Sequence, residues 1–194
     1  MNIGLTGGIG CGKSTVVRFF VESGWNTLET DRVVAALLQK DKSVREQLRG
    51  RWGGAVFKGQ GGDVDRKAIA RIVFSDAEEL NWLEQVLHPE VRRVWTQALE
   101  ADPRSDWLVE IPLLFEKSLE SHFDLVVCIA SPDAVSDCRL AERGYGKAEI
   151  NRRRNRQMSL EKKILYANHV LFNSGSMDFL KRQTQRLIKQ LRTA

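Results

Sequence analysis

The sequence lacks the features that define several large protein classes. Its three cysteines, Cys11, Cys128 and Cys138, form no CxxC pair, so we expect neither a disulfide scaffold nor a thiolate zinc site. The three histidines are scattered, and no cysteine lies near them at ligand spacing. No run of about 18 consecutive apolar residues predicts a membrane span. The N-terminus shows no charged segment followed by a long apolar stretch, so we expect no signal peptide and a cytoplasmic protein.

The composition is that of an ordinary folded protein with an excess of positive charge. The chain has 194 residues, of which 42% are hydrophobic and 28% charged, which suffices for a full core. The formal net charge of +5 favours anionic partners such as phosphates, nucleotides or nucleic acid. A solvated basic surface would give the same composition, so charge alone leaves both interpretations open.

Short apolar runs alternate with longer amphipathic ones, which indicates an α/β fold with a parallel sheet. Five runs predict strands, at residues 3–6, 25–29, 107–111, 125–130 and 169–172. We expect a first helix over residues 14–23 and a last helix over about 177–192, with Ser176 as its N-cap.

The stretch between the second and third predicted strands has no strand pattern and is predicted to be a helical insertion. One apolar helix face is indicated by Val91, Val94, Trp95, Ala98 and Leu99, and another by Leu80, Leu83 and Leu87. Residues 50–62 contain six glycines and predict a flexible loop.

Residues 7–14 match the phosphate-binding pattern G-x4-G-K-[ST] in full, between a predicted strand and a predicted helix. Such a P-loop turns successive backbone N–H groups around a phosphate, and the helix N-terminus adds partial positive charge. Lys13 can reach the β- and γ-phosphates, and the Ser14 hydroxyl can bind Mg²⁺. The chain is therefore predicted to be a nucleotide-binding phosphotransferase; the alternative is a glycine turn that only joins strand to helix. The predicted contacts are Gly8, Ile9, Gly10, Cys11, Gly12, Lys13, Ser14 and Thr15.

Acidic residues follow two of the predicted strands. Asp31 comes just after the second strand, at the sheet edge where ligands bind in open α/β sheets, and could orient or deprotonate an acceptor hydroxyl. The alternative is an N-cap on a helix that begins at Arg32. Glu110 is either a water-mediated Mg²⁺ contact or a surface acid at a strand end. Glu116 could begin a helix.

Six arginines lie between positions 139 and 156, in a region that also contains Gly144 and Gly146. This pattern predicts a mobile basic segment that closes as a lid. Arg139 and Arg143 are one helical turn apart and are the first candidates to stabilise charge on a transferring phosphoryl group. The alternative for each arginine is a solvated basic helix face.

Cys11 lies inside the predicted phosphate site. A helix N-terminus can lower a thiol pKa, so Cys11 is either a reactive thiol whose modification blocks nucleotide binding or a small turn-filling residue.

Over nearly its whole length the chain resembles the dephospho-coenzyme A kinases. Residues 4–14 resemble that family's P-loop, with Cys11 in place of the usual serine. Glu29-Thr30-Asp31 resembles its Asp-x-Asp element with the first acid changed, and Asn168 stands where the family usually has Asp. The further matching elements are Asp65-Arg66, Phe74, Leu87-His88-Pro89, Ile111-Pro112-Leu113-Leu114-Phe115-Glu116, Arg153 with Gln157, Glu161-Lys162-Lys163 and Asn173-Ser174-Gly175.

The resemblance implies that MgATP phosphorylates the ribose 3′-hydroxyl of dephospho-coenzyme A. It implies Asp31 as the base, Arg66 and His88 in the acceptor site, and Asn173 and Gly175 near adenine. The implied parts are a P-loop core (residues 1–31, 105–135 and 165–194), a helical acceptor domain (32–104) and a lid (136–164).

We therefore predict a three-part P-loop kinase with a five-stranded parallel core. It would use ATP and Mg²⁺, act on small molecules, bind neither nucleic acid nor membrane, and be a monomer or weak homo-oligomer. One alternative is a kinase for another small hydroxyl acceptor, such as a nucleoside. Another is a nucleic-acid-binding protein that uses the arginines of residues 152–156. A third, a catalytically silent nucleotide-binding regulator, is disfavoured by the intact Lys13, Ser14 and Asp31.

Overall fold

A computed structural model describes residues 1–59 and 62–193 of the chain. The chain divides into two compact units, Met1–Glu29 with Asp102–Ala194, and Thr30–Ala101. The first unit carries the sheet, and the second is mainly helical. No helix in the described part of the chain combines the length and the apolar character needed to cross a membrane.

A five-stranded sheet forms the centre of the first unit, with the strand order β2-β3-β1-β4-β5 and parallel pairing throughout. The predicted fold class is confirmed, because helices cover both sides of this sheet and all five predicted strands form, with ends shifted by at most one residue. The strands are β1 (Asn2–Gly7), β2 (Asn26–Glu29), β3 (Trp107–Glu110), β4 (Leu125–Ala130) and β5 (His169–Phe172).

The helices follow the alternation expected from the sequence. In the described residues they are α1 (Lys13–Glu22), α2 (Thr30–Lys40), α3 (Lys42–Trp52), α4 (Arg66–Ser75), α5 (Ala77–Ala101), α6 (Asp133–Glu142), α7 (Lys147–Asn155), α8 (Leu160–Tyr166) and α9 (Met177–Leu191), with short 3-10 helices at Gly53–Val56 and Glu120–His122.

The core of the first unit packs helices α1 and α9 against the sheet. Leu5 and Val127 are fully buried, as expected for strands covered on both faces. Leu180 and Leu187 of α9 are also buried, which confirms the predicted apolar face. The Ser176 hydroxyl accepts a hydrogen bond from the Phe179 N–H at 3.1 Å, so the predicted N-cap is confirmed.

In the second unit, α5 is a single helix of 25 residues with Pro89 in its interior. The two apolar faces predicted from the sequence are one continuous face of this helix, and its buried residues are Leu83, Leu87, Val91, Trp95 and Leu99. His88 therefore lies inside a helix.

The prediction of a flexible loop over residues 50–62 is wrong in its first part. Gly50 belongs to α3, and the following 3-10 helix contains Gly53 and Gly54. Positions 60 and 61 lie outside the described residues. The chain then leads into α4, where the Asp65 carboxylate caps the helix by accepting hydrogen bonds from the N–H groups of Lys67 and Ala68.

Candidate active site

The glycine-rich turn between β1 and α1 is built at positions where a side chain would not fit. Gly7 has φ 147°, and a Cβ there would lie 2.4 Å from the Ile129 carbonyl oxygen of β4. Gly12 has φ 94°, and its Cβ would lie 2.3 Å from Nδ2 of Asn173. The glycines therefore let the loop approach the ends of β4 and β5 just before the N-terminus of α1.

The Lys13 ammonium group lies over this loop. Its Nζ donates hydrogen bonds to the carbonyl oxygens of Gly7 and Gly8 at 3.2 and 3.1 Å. Ser14, the next residue, is exposed. The two side chains on which the nucleotide prediction depends are thus placed at the start of α1, one as a cation and one as an accessible hydroxyl.

A cavity of about 280 Å³ lies beside the P-loop. Gly8, Ile9 and Cys11 line one side of it, and residues 154–155 and 157–161 line another. Asp133 and Ser136 of α6 complete the lining. The cavity joins the phosphate-binding loop to the segment that follows the arginine-bearing helix α7.

A chain of hydrogen bonds links Arg139 through Asn173 to the P-loop. The Arg139 guanidinium donates hydrogen bonds to Ser131 Oγ at 3.2 Å, to the Asn173 carbonyl oxygen at 3.2 Å and to Asn173 Oδ1 at 3.1 Å. Asn173 Nδ2 in turn donates to the Cys11 carbonyl oxygen at 2.9 Å. The side chain of Asn173 therefore holds the P-loop against the end of β5, a role that the sequence analysis did not predict.

A second buried group that the sequence analysis left without a role is Lys163 of α8. Its Nζ donates to the Pro112 carbonyl oxygen at 2.7 Å and lies 2.9 Å from Glu116 Oε1. The Glu116 carboxylate also accepts from the Met158 N–H at 2.7 Å. Burial lowers the pKa of Lys163, and the ion pair with Glu116 offsets part of that shift. No helix begins at Glu116, so that prediction is wrong.

Of the two interpretations of Cys11, the structure favours the small turn-filling residue. The residue is 2% exposed, and burial raises the pKa of its thiol, although the Lys13 charge acts in the opposite direction. Burial likewise raises the pKa of Cys128, to about 12. Cys138, in contrast, is exposed. Cys11 is therefore a small buried filler of the loop in this structure.

Two acids lie side by side at the carboxyl edge of the sheet. Glu29 ends β2 and is in register with Glu110, which ends β3. Glu110 is buried at 8% exposure, so the alternative of a surface acid is wrong. Nowhere in the described chain does a group of three or more His, Cys, Asp or Glu residues come together in a way that could hold a metal ion.

Asp31, Arg66 and His88 all belong to the second unit, Thr30–Ala101. Asp31 is exposed in the first turn of α2, which begins at Thr30, so it is not the N-cap of a helix starting one residue later. Arg66 is the exposed first residue of α4. The functional roles of these three residues stay predictions.

The arginine-rich region forms two helices. Arg143 is exposed at the C-terminal end of α6. On α7, Arg153 pairs with Glu149 at 2.8 Å and Arg154 lies 3.5 Å from Asp133. Gly175 is exposed in the connection between β5 and α9. The proposed contacts of Arg143 and Gly175 with nucleotide stay predictions.

Comparison with known proteins decides the family. A family model described as dephospho-CoA kinase matches residues 1–178. The chain belongs to the dephospho-coenzyme A kinase family. Dephospho-CoA kinase from Aquifex aeolicus is 34% identical over 193 residues, covering 97% of this chain and 96% of the relative. Dephospho-CoA kinase from Thermus thermophilus is 38% identical over 190 residues, covering 97% of this chain and 91% of the relative.

Solved structures match the fold of this chain. A crystal structure of a Thermus thermophilus protein matches with a TM-score of 0.81 and 38% identity, covering 98% of this chain and 97% of that one. Shikimate kinase from Acinetobacter baumannii, at a TM-score of 0.54 and 14% identity, shares the fold. The predictions of a P-loop kinase and of the dephospho-coenzyme A kinase family are confirmed.

One departure from the family pattern has a structural explanation. Asn168 Oδ1 accepts a hydrogen bond from the Val126 N–H at 2.8 Å, and the Asn168 N–H donates to the Val126 carbonyl oxygen at 2.9 Å. An aspartate could accept the first of these bonds as well as asparagine does, because only a side-chain oxygen is needed.

Proposed function

We propose that this dephospho-coenzyme A kinase family member transfers the γ-phosphoryl group of ATP to the ribose 3′-hydroxyl of dephospho-coenzyme A, the final step of coenzyme A biosynthesis. The observation that carries the proposal is a P-loop with Lys13 and Ser14 at the start of α1, in a chain that matches the family over residues 1–178. The products are coenzyme A and ADP.

The P-loop supplies positioning and charge neutralisation, which are the main demands of phosphoryl transfer. The loop of residues 8–15 would hold the ATP phosphates with those of its N–H groups that are not bonded within the protein, as the Ile9 N–H is to Gln157 Oε1. Lys13 would leave its present carbonyl partners for the β- and γ-phosphates, since a phosphate is a stronger acceptor than a peptide carbonyl.

The donor set suits Mg²⁺ bound together with ATP. Mg²⁺ is commonly held by one or two protein groups and substrate phosphates rather than by an all-protein cage, and it neutralises phosphate charge when bound. The exposed Ser14 hydroxyl fits this pattern as the protein ligand.

Residues 32–104, most of which lie in the second unit (Thr30–Ala101), are the candidate acceptor domain. Asp31 would accept the proton of the 3′-hydroxyl, for which an exposed carboxylate in the first turn of α2 is suited. Arg66 and His88 would contact the acceptor. Residues 136–164 would form the lid, whose closure keeps water away from the γ-phosphate.

We propose different roles for the four candidate nucleotide contacts that lie outside the P-loop. Arg139 bonds to Asn173, which in turn bonds to the P-loop, so we propose that these two residues support the nucleotide site from behind. Arg143 and Gly175 are exposed, which suits direct contact with phosphate and adenine respectively. Arg139 would reach the transferring phosphoryl group only by giving up its present partners.

We further propose that the protein is cytoplasmic, acts on small molecules rather than nucleic acid, and is a monomer or weak homo-oligomer. Sedimentation and a salt titration of RNA binding would test the last two statements. Salt-sensitive RNA binding without kinase activity would favour the nucleic-acid alternative instead.

The decisive experiment is an ADP-release assay with MgATP and a panel of dephospho-coenzyme A, adenosine and other nucleosides. We expect rapid ADP release only with dephospho-coenzyme A, and a product identical to coenzyme A by liquid chromatography and mass spectrometry. The 3′-deoxy analogue and the Lys13→Ala variant are the controls. Turnover of nucleosides but not of dephospho-coenzyme A would overturn the proposal.

A further inference from the structure

A buried chain of hydrogen bonds starts where β1 enters the P-loop. Thr6 Oγ1 donates to the Pro112 carbonyl oxygen at 3.3 Å, and the same oxygen accepts from Lys163 Nζ at 2.7 Å. Lys163 Nζ lies 2.9 Å from Glu116 Oε1. These contacts connect the end of β1, the segment after β3, and α8.

The same chain of contacts returns to the P-loop from the other side. Glu116 Oε1 accepts from the Met158 N–H at 2.7 Å. The preceding side chain, Gln157, accepts at Oε1 from the Ile9 N–H at 3.1 Å. The segment after α7 is thus held at two consecutive residues, one on the P-loop and one on Glu116.

The ion pair between Glu116 and Lys163 is buried, and this burial limits what its charges can contribute to stability. The Lys163 side chain is 0% exposed and that of Glu116 is 14% exposed. Replacing a buried ion pair by apolar residues of similar volume is often neutral or stabilising, because the desolvation cost of the charges disappears. What an apolar pair would not provide is an acceptor for the Met158 N–H. The specific contribution of Glu116 is therefore the position of Met158.

Met158 lies at the candidate active site, in the lining of the cavity beside the P-loop. Residues 157–158 follow α7, which carries Arg152, Arg153 and Arg154. Residue 154 and residues 157–158 line the same cavity as the P-loop. A shift at this anchor would move the arginine-bearing helix relative to the phosphate site, and a displacement of about 1 Å can cost about 100-fold in rate.

We infer that the Glu116–Lys163 pair is a positioning device for phosphoryl transfer: the Glu116 carboxylate, held by Lys163, fixes Met158 and with it the contact of Gln157 on the P-loop. Neither residue touches substrate in this role. The inference rests on the proposed function for its kinetic readout.

Two matched double variants test whether the side-chain oxygen at position 116 is needed as the acceptor for the Met158 N–H. Glu116→Gln with Lys163→Met and Glu116→Leu with Lys163→Met both remove both charges and the Lys163 donor. Only the glutamine variant keeps a side-chain oxygen for the Met158 N–H. We expect melting temperatures within a few degrees of each other, since both pairs avoid a lone buried charge. We expect kcat about 10- to 100-fold lower in the leucine variant than in the glutamine variant, with a smaller change in KM.

Amide hydrogen exchange supplies a readout that does not depend on turnover. Exchange at Met158 should be faster in the leucine variant than in the glutamine variant. Equal kcat values in the two variants, whether high or low, would overturn the inference, as would equal exchange. If the wild type itself fails to phosphorylate dephospho-coenzyme A, the proposed function fails. The inference is then tested separately, by comparing the Met158 exchange rates and the ATP affinities of the leucine and glutamine variants.

A single variant covers the case in which the leucine variant does not fold. Gln157 is half-exposed, so Gln157→Ala should leave the melting temperature nearly unchanged. It removes the hydrogen bond to Ile9, and we expect a fall in kcat of about 10-fold with little change in KM. An unchanged kcat would contradict the inference.

Discussion

The link between Asn173 and the P-loop gives the sharpest prediction, because its loss affects stability and nucleotide binding together. Asn173→Ala removes the bond from Nδ2 to the Cys11 carbonyl oxygen and the bond from Arg139 to Oδ1. The backbone N–H of residue 173 still donates to the Ala130 carbonyl oxygen at 2.8 Å, so β5 itself stays paired.

The expected change in the free energy of unfolding depends on which groups lose a hydrogen-bond partner in Asn173→Ala. The Cys11 carbonyl, in a buried contact, loses its donor, which costs about 1–3 kcal/mol. Arg139 keeps Ser131 Oγ and the Asn173 carbonyl oxygen, so its loss is nearer to one ordinary hydrogen bond, about 1 kcal/mol. The free energy of unfolding should fall by about 3 kcal/mol in total, which lowers the melting temperature by about 6–12 °C in a protein of this size.

Calorimetry of unfolding and titration with ATP measure the two consequences. We expect ATP affinity to fall as well, because Cys11 and Gly12 belong to the phosphate-binding loop. Asn173→Asp is the matched control: it keeps the size and the acceptor for Arg139 but turns an oxygen toward the Cys11 carbonyl, so it should also be destabilised. If both variants weaken ATP binding without lowering the melting temperature, Asn173 acts through adenine contact and the reasoning here is refuted.

Four further predictions test the site and the second unit. Lys13→Ala should lower kcat by at least about 100-fold in the ADP-release assay while the melting temperature changes little; a smaller kinetic loss would argue against a phosphate contact. Asp31→Asn should reduce turnover far more than ATP affinity, and equal losses would indicate a structural role. A thiol reagent should label the exposed Cys138 first, and Cys11 only on unfolding, because burial raises the pKa of that thiol; mass spectrometry of labelled peptides gives the order. The pKa of Glu79 is lowered by hydrogen bonds from two α3 residues, so its stabilising contribution is present above its ordinary pKa and lost as pH falls; thermal stability should therefore fall more steeply from about pH 5 to about pH 3 in the wild type than in Glu79→Gln.

Predictions from apolar runs and from one helix cap were successful, whereas the loop predicted from the glycines of residues 50–62 was wrong in its first part. The strands of the sheet are apolar runs because both faces of a parallel sheet are covered, and this pattern is visible without knowing the neighbours. The cap at Ser176 bonds to a residue three positions away. Other interpretations failed at residues whose surroundings come from distant parts of the chain: no helix begins at Glu116, which pairs with Lys163, and Glu110 is buried rather than a surface acid.

The sequence by itself determined the P-loop, the parallel sheet and the family, because a phosphate cradle is made from adjacent residues and ordered motifs identify a family. Only the tertiary structure decided what surrounds that cradle. Asn173 and Cys11 are 162 positions apart in the sequence, and Lys163 and Pro112 are 51 positions apart, so no local sequence pattern predicts either contact. Packing also decided between the two interpretations of Cys11, because burial in the folded loop raises the pKa of its thiol more than the Lys13 charge lowers it.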